Sequence, residues 1–144
     1  MIAVDTNILV YAHRKESPFH RVAKTTVKSL ATHDMPWCLP WPCVHEFINV
    51  VTNTRLFTDP TPLELAFGQI EAWLRTGKVH AINESQNHLE TLRTISISGN
   101  IRGGQIHDAR IAAICLQHGV TELWTADRDF SRYPKLKTRN PLVG

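Results

Sequence analysis

The chain has 144 residues, of which 42% are hydrophobic and 20% charged, and carries a formal charge of +3. That is one domain's worth of chain with enough apolar residues for a core, which excludes a disordered or fibrous protein. No apolar run is long enough to cross a bilayer, and Asp5 interrupts the first apolar stretch before it can serve as a signal-peptide core. A cytoplasmic protein with no membrane segment is therefore expected. Cys38, Cys43 and Cys115 are odd in number and form no Cys-x-x-Cys pair. They favour neither a disulfide framework nor a zinc site and are expected to be small apolar fillers.

Ile2-Ala3-Val4 forms a short buried strand that turns polar at Asp5, with Asn7 expected to cap a helix over 8–12. Ser17 followed by Pro18 starts a helix well, and that helix should reach residue 30 with Phe19, Val22, Ala23, Val27 and Leu30 facing the core. A strand over 36–39 ends at Pro40 and Pro42. The helix after it, over 42–52, buries Val44, Phe47, Ile48 and Val51 and turns His45, Glu46 and Asn49 to its polar side. After a loop over 53–59, Thr61-Pro62-Leu63-Glu64 has the form of a capping box opening a helix to about residue 75. A strand over 79–82 and a helix over 85–97 follow. A loop with Gly99, Gly103 and Gly104 then leads to a helix over 105–118 closed by Gly119. The strand over 122–125 breaks into Ala126-Asp127-Arg128-Asp129-Phe130, and the basic tail over 132–139 has room for one edge strand. Strands alternating with helices of this length predict right-handed crossovers and a mainly parallel sheet of four to five strands. A single three-layer α/β/α domain over 1–144 is the expectation.

In such a sheet, ligands gather beyond the carboxyl ends of the strands. Asp5 ends the first strand, Asp127 follows the fourth, and Asp129 lies two residues on. Glu46 and Asp108 sit in the first turns of helices, where a negative charge is locally comfortable. Each of these acids has an ordinary explanation as a cap or an exposed charge; four at one edge do not. Crowded carboxylates hold protons unless a cation sits among them, and Mg2+ or Mn2+, which prefer oxygen ligands, suit that place. With those acids set aside, the rest of the surface is about two to one basic, which suits a polyanion. Metal-dependent phosphodiester hydrolysis follows, with a carboxylate as general base.

Val4-Asp5-Thr6-Asn7, Val44-His45-Glu46-Phe47, Asp108-Ala109 after a glycine-rich loop, and Thr125-Ala126-Asp127-Arg128-Asp129-Phe130 together resemble the PIN-domain ribonucleases. The small size and the ending Phe130-Ser131-Arg132-Tyr133-Pro134 are most similar to the VapC toxins of bacterial type II toxin–antitoxin modules. The resemblance spans essentially the whole chain. It implies a PIN-like fold and a metal-dependent endoribonuclease acting on structured RNA such as tRNA or rRNA. It also implies a neutralising VapB antitoxin, whose C-terminal segment lies in the groove near the acids, and a toxin homodimer. By motif position, Asp5 and Asp108 are the principal metal ligands, Asp127 completes the site, and Glu46 binds the metal directly or through a water. Asp129 either reaches the metal, orients a neighbour or caps the final turn. Thr6, Asn7 and Thr125 steady the acids, with turn hydrogen bonding as the alternative role.

His107 and His45 adjoin acids but point elsewhere on their helices, so neither is expected in the chemistry. Trp37, Trp73 and Trp124 read as core or interface aromatics, and Trp41, between two prolines, as the one facing a partner. Arg55, Arg102 and Arg128 are candidates for RNA phosphate contact, with Arg132, Lys135 and Lys137 behind them. A phosphatase using Asp5 as nucleophile is disfavoured by Asn7, since haloacid-dehalogenase-like enzymes carry a second Asp there. A housekeeping PIN nuclease of RNA maturation and a non-catalytic RNA-binding module of the same fold are the remaining alternatives.

Overall fold

The computed structural model describes residues 1–143. Five strands form one sheet in the order β3-β2-β1-β4-β5, with every neighbouring pair parallel. They are β1 (Ile2–Val4), β2 (Trp37–Pro40), β3 (Val79–Ile82), β4 (Glu122–Trp124) and β5 (Thr138–Arg139). Six α-helices connect them: α1 (Thr6–His13), α2 (His20–Thr32), α3 (Trp41–Val51), α4 (Leu63–Leu74), α5 (His88–Ser98) and α6 (Ile106–Gln117). The chain runs from β1 outward through β2 to β3, then returns past β1 to β4 and β5. Right-handed crossovers therefore put α1 to α4 on one face and α5 with α6 on the other, in keeping with the contacts of α1 with α2 and α3 and of α5 with α6. The expected three-layer arrangement is present, with an all-parallel sheet of five strands.

Burial explains the central strands. All four residues of β2 are buried, as are Ala3 and Val4 of β1 and Leu123 and Trp124 of β4, the continuous apolar runs that a sheet covered on both faces requires. Ile8, Leu9 and Phe47 pack beneath the sheet with no exposed surface, and each such side chain stabilises the fold by about 1.5–3 kcal/mol. Gly119 closes α6 at φ +67°, a left-handed turn that a β-carbon would strain. At Gly99 a β-carbon would lie 3.0 Å from the Ile95 carbonyl and 3.2 Å from the Tyr133 ring, so the close approach of α5 to the C-terminal segment needs glycine.

Several local expectations fail, two of them through local hydrogen bonds and one through tertiary ones. Asp5, not Asn7, caps α1: its carboxylate accepts the Thr6 N–H at 2.7 Å. Ser17 accepts from the Phe19 N–H at 3.1 Å in a turn, so α2 begins only at His20, and Phe19 and Val22 are 42% and 43% exposed rather than core. Phe19 lies instead against Tyr11, with ring centroids 5.1 Å apart. The capping box at Thr61 does not form. Its hydroxyl is taken by His13 Nε2 and by the Arg14 guanidinium, both at 3.0 Å, and α4 starts behind Pro62 without a side-chain cap. Pro40 closes β2 rather than lying beyond it, Ile48 is only half-buried, and α5 begins at His88.

Candidate metal centre

The strand order reverses between β1 and β4, and that is where an open parallel sheet leaves a crevice at its carboxyl edge. Asp5 stands at the end of β1 and donates its N–H to the Trp124 carbonyl at 2.9 Å, so the two strands present their ends side by side. A cavity of about 740 Å3 opens there. Its walls are Asp5 and α1 residues Thr6 and Asn7, α3 residues His45, Glu46 and Asn49, α6 residues His107, Asp108 and Arg110, and Asp127 beyond β4. Four acids from four distant parts of the chain thus share one cavity.

Asp5 is 5% exposed and is gripped from both sides. One carboxylate oxygen, Oδ1, accepts the Thr6 N–H at 2.7 Å and the Cys43 thiol at 3.5 Å. The other, Oδ2, accepts the Thr125 hydroxyl at 2.7 Å and the Asn7 amide at 3.5 Å. Thr125 in turn accepts the Asp127 N–H at 3.0 Å, and the Asn7 carbonyl oxygen accepts the Ala126 N–H at 3.2 Å. Asn7 and Thr125 therefore tie the end of β1 to the segment after β4, while Thr6 holds Asp5 from its own side. Cys43 is more than the apolar filler expected of it. Its thiol donates to Asp5 and its carbonyl accepts the Thr6 hydroxyl at 3.5 Å, fixing the start of α3 against the end of β1.

Carboxylate oxygens of Asp108, Asp127 and Asp129 lie within 4.8 Å of one another. Asp5 and Glu46 face the same cavity without joining that trio. Asp127 also caps a 3-10 turn over Arg128–Arg132 by accepting the Asp129 N–H at 2.9 Å, so the capping role belongs to Asp127 and leaves Asp129 free to face the other two. The electrostatics are those of uncompensated negative charge. Burial, then Asp127, Asp5 and Asp129, push the Asp108 carboxyl up to about 6. Burial raises Asp5 against its hydrogen bonds, with Asp127 adding to the rise. Only hard oxygen donors make up the trio, and no Lys or Arg among the described residues forms an ion pair with them, so the residues fit a small divalent cation.

Of the residues proposed for phosphate contact, Arg55, Arg102 and Arg128 are exposed, and none of the three lines the cavity. The wall carries Arg110 instead, which sequence reading missed, along with His45 and His107 beside the acids. Trp37, Trp73 and Trp124 are buried and Trp41 is 36% exposed, its ring tilted by 36° against that of His45 with centroids 6.1 Å apart.

A parallel sheet with four carboxylates gathered in a crevice at its switch point defines an α/β domain with an acidic site. The family model described as PIN domain matches residues 2–136. Ribonuclease VapC43 of Mycobacterium tuberculosis is 36% identical over 144 residues, covering 100% of this chain and 97% of the relative. A chain of VapBC2 from Rickettsia felis, solved bound to a DNA fragment from their promoter, superposes with a TM-score of 0.68 at 22% identity, covering 97% of this chain and 98% of the other. VapC20 of Mycobacterium tuberculosis, described as a sarcin-ricin loop cleaving toxin, superposes at 0.66 and 17% identity, covering 91% and 93%. This chain belongs to the PIN-domain family, within its VapC ribonucleases.

Proposed function

We propose that the protein is an endoribonuclease toxin that hydrolyses phosphodiester bonds in structured RNA, tRNA or rRNA, using Mg2+ or Mn2+, and that a VapB-type antitoxin neutralises it. One observation carries the reading: Asp5, Glu46, Asp108 and Asp127, remote in sequence, line one cavity in which burial and mutual repulsion raise Asp5 and Asp108. Such a cluster is costly unless a cation completes it, and a fold alone gives no reason to keep it.

Asp5 and Asp108 would be the principal ligands of the ion and Asp127 would complete the site, with Asp129 beside them in the acid trio and Asp5 anchored by Thr6, Cys43 and Thr125. When bound, a divalent ion activates water and neutralises charge gathering on the phosphate. Glu46, exposed on the cavity wall, would bind the ion directly or through a water, and a carboxylate of the cluster would serve as general base. Asn7 and Thr125 keep the Asp127 segment in register with Asp5 through the cycle. Exposed apolar side chains on α4 and its preceding loop, Leu56, Leu63, Leu65 and Phe67, suit association with the antitoxin or with a second copy in a homodimer. No helix among the described residues is long and apolar enough to cross a membrane, and we place the activity in the cytoplasm.

The test is cleavage of tRNA and rRNA by wild type and Asp5→Ala at fixed Mn2+, with and without chelator. Cleavage by wild type alone, stopped by chelator and restored by Mn2+, is expected. Equal cleavage by Asp5→Ala would remove the assignment.

A further inference from the structure

We propose that Arg110, held in place by Glu84, binds a phosphate of the RNA flanking the one that is cut. The proposal rests on the nuclease reading and extends it to the path of the substrate. Among the residues lining the acidic cavity, Arg110 is the only Arg or Lys, facing four carboxylates. A polyanion entering that cavity meets repulsion from the acids except where this guanidinium stands.

Its hydrogen bonds show how it is presented. Arg110 Nε donates to Glu84 Oε1 at 2.9 Å, and Nη2 lies 2.9 Å from the same oxygen. One edge of the guanidinium is thus fixed on a single carboxylate oxygen, leaving Nη1 for another acceptor. A planar fork anchored on one edge is well disposed to grip phosphate with the rest. The two side chains are 40% and 35% exposed, so the pair is open to a ligand and adds little to stability. Holding an arginine at the wall of the cavity is the role left to Glu84.

Position says which phosphate. Asp108 and Arg110 both lie on α6, but Glu84 follows the end of β3, the edge strand three places from β4 in the sheet. Three strand spacings amount to about 14 Å. Asp127 and Asp129 follow β4 and draw the Asp108 carboxylate toward that side, whereas Glu84 draws the Arg110 guanidinium toward the β3 side of the crevice. A phosphate there is a neighbour of the reacting one along the strand, and Arg110 is a positioning residue rather than a catalytic one.

The experiment measures binding, not turnover. Asp5→Asn protein, inert on the nuclease reading, is titrated with a fluorescein-labelled single-stranded RNA of mixed sequence at several salt concentrations. Adding Arg110→Ala should lower affinity roughly tenfold and reduce the slope of log K against log salt by about 0.7, one phosphate contact on a single strand. Arg110→Lys should keep the slope while losing part of the affinity, because a point charge lacks the fork. Glu84→Gln should weaken binding less than Arg110→Ala with the slope retained. Mn2+ binding and the melting temperature serve as controls and should stay as in the parent. Unchanged affinity and slope in Arg110→Ala and Arg110→Lys would overturn the proposal. Cleavage of the RNA by Asp5→Asn would instead strike the nuclease reading, so the two failures are separable.

Discussion

The molecule contains two polar clusters of similar make-up and opposite balance. At the C-terminal end of α1, Arg14 pairs with Glu16, bonds the Thr61 hydroxyl at 3.0 Å and the Asp59 carbonyl at 2.8 Å, and lies over the Phe57 ring at 4.1 Å. His13 completes it, bridging Thr61 and Gln69 at 3.0 and 3.1 Å. Every strong group there has a partner of the right sign, and the cluster clips the loop before α4 onto α1. At the other cluster, beyond β1 and β4, the hydrogen bonds are just as well made but four carboxylates share the cavity with a single guanidinium, Arg110, which is paired with Glu84. Satisfied polar groups hold a fold together; unbalanced charge held rigidly in a cavity marks a place where something else binds.

Breaking each cluster should give different outcomes. Asp108→Asn should reduce RNA cleavage by more than about 100-fold, as loss of a metal ligand exceeds the 10–100-fold cost of losing a supporting contact, while the melting temperature of the metal-free protein holds or rises. Arg14→Ala should do the reverse. It should destabilise by about 0.5–1.5 kcal/mol through loss of its hydrogen bonds to the Asp59 carbonyl and the Thr61 hydroxyl, measured by urea denaturation, with activity per folded molecule unchanged.

A third contrast is in pH. Asp108 is raised from an ordinary 3.8 to about 6, so the folded state holds this proton more tightly than the unfolded chain. Its contribution to stability is therefore full below about 4 and is lost as pH rises through about 6. Asp5, also raised, acts in the same direction. Metal-free protein should lose melting temperature across that window, Mn2+ should restore more of it at pH 7 than at pH 5, and Asp108→Asn should flatten the profile. The smallest effect expected is at Cys43: Cys43→Val removes one weak donor to Asp5 and should weaken Mn2+ binding by less than about tenfold, with Cys43→Ser recovering it. Equal Mn2+ affinity in Cys43→Val and wild type would reduce Cys43 to packing.

The acids were legible in the sequence because each stands where chain direction reports position: Asp5 and Asp127 after apolar strands, Asp108 in the first turn of α6 and Glu46 on the second turn of α3. Strand identity was legible for the same reason, since buried runs such as Trp37–Pro40 carry their own signal. Caps were less so. Thr61 has the local form of a cap, but His13 and Arg14, nearly fifty residues away, take its hydroxyl. Arg110 was hidden because a charge in mid-helix reads as solvated surface, and only the packing of α6 against the crevice turns it to the cavity wall. Cys43 was hidden because its thiol is polar only toward one carboxylate 38 residues away.

Titration with Mn2+, followed by electron paramagnetic resonance, tests the central claim without reference to any RNA. Saturable binding by wild type that is lost in both Asp108→Asn and Asp127→Asn, each still folded, is the predicted result. Unaltered Mn2+ binding in those two variants would contradict it and leave the acid cluster without a cation to hold.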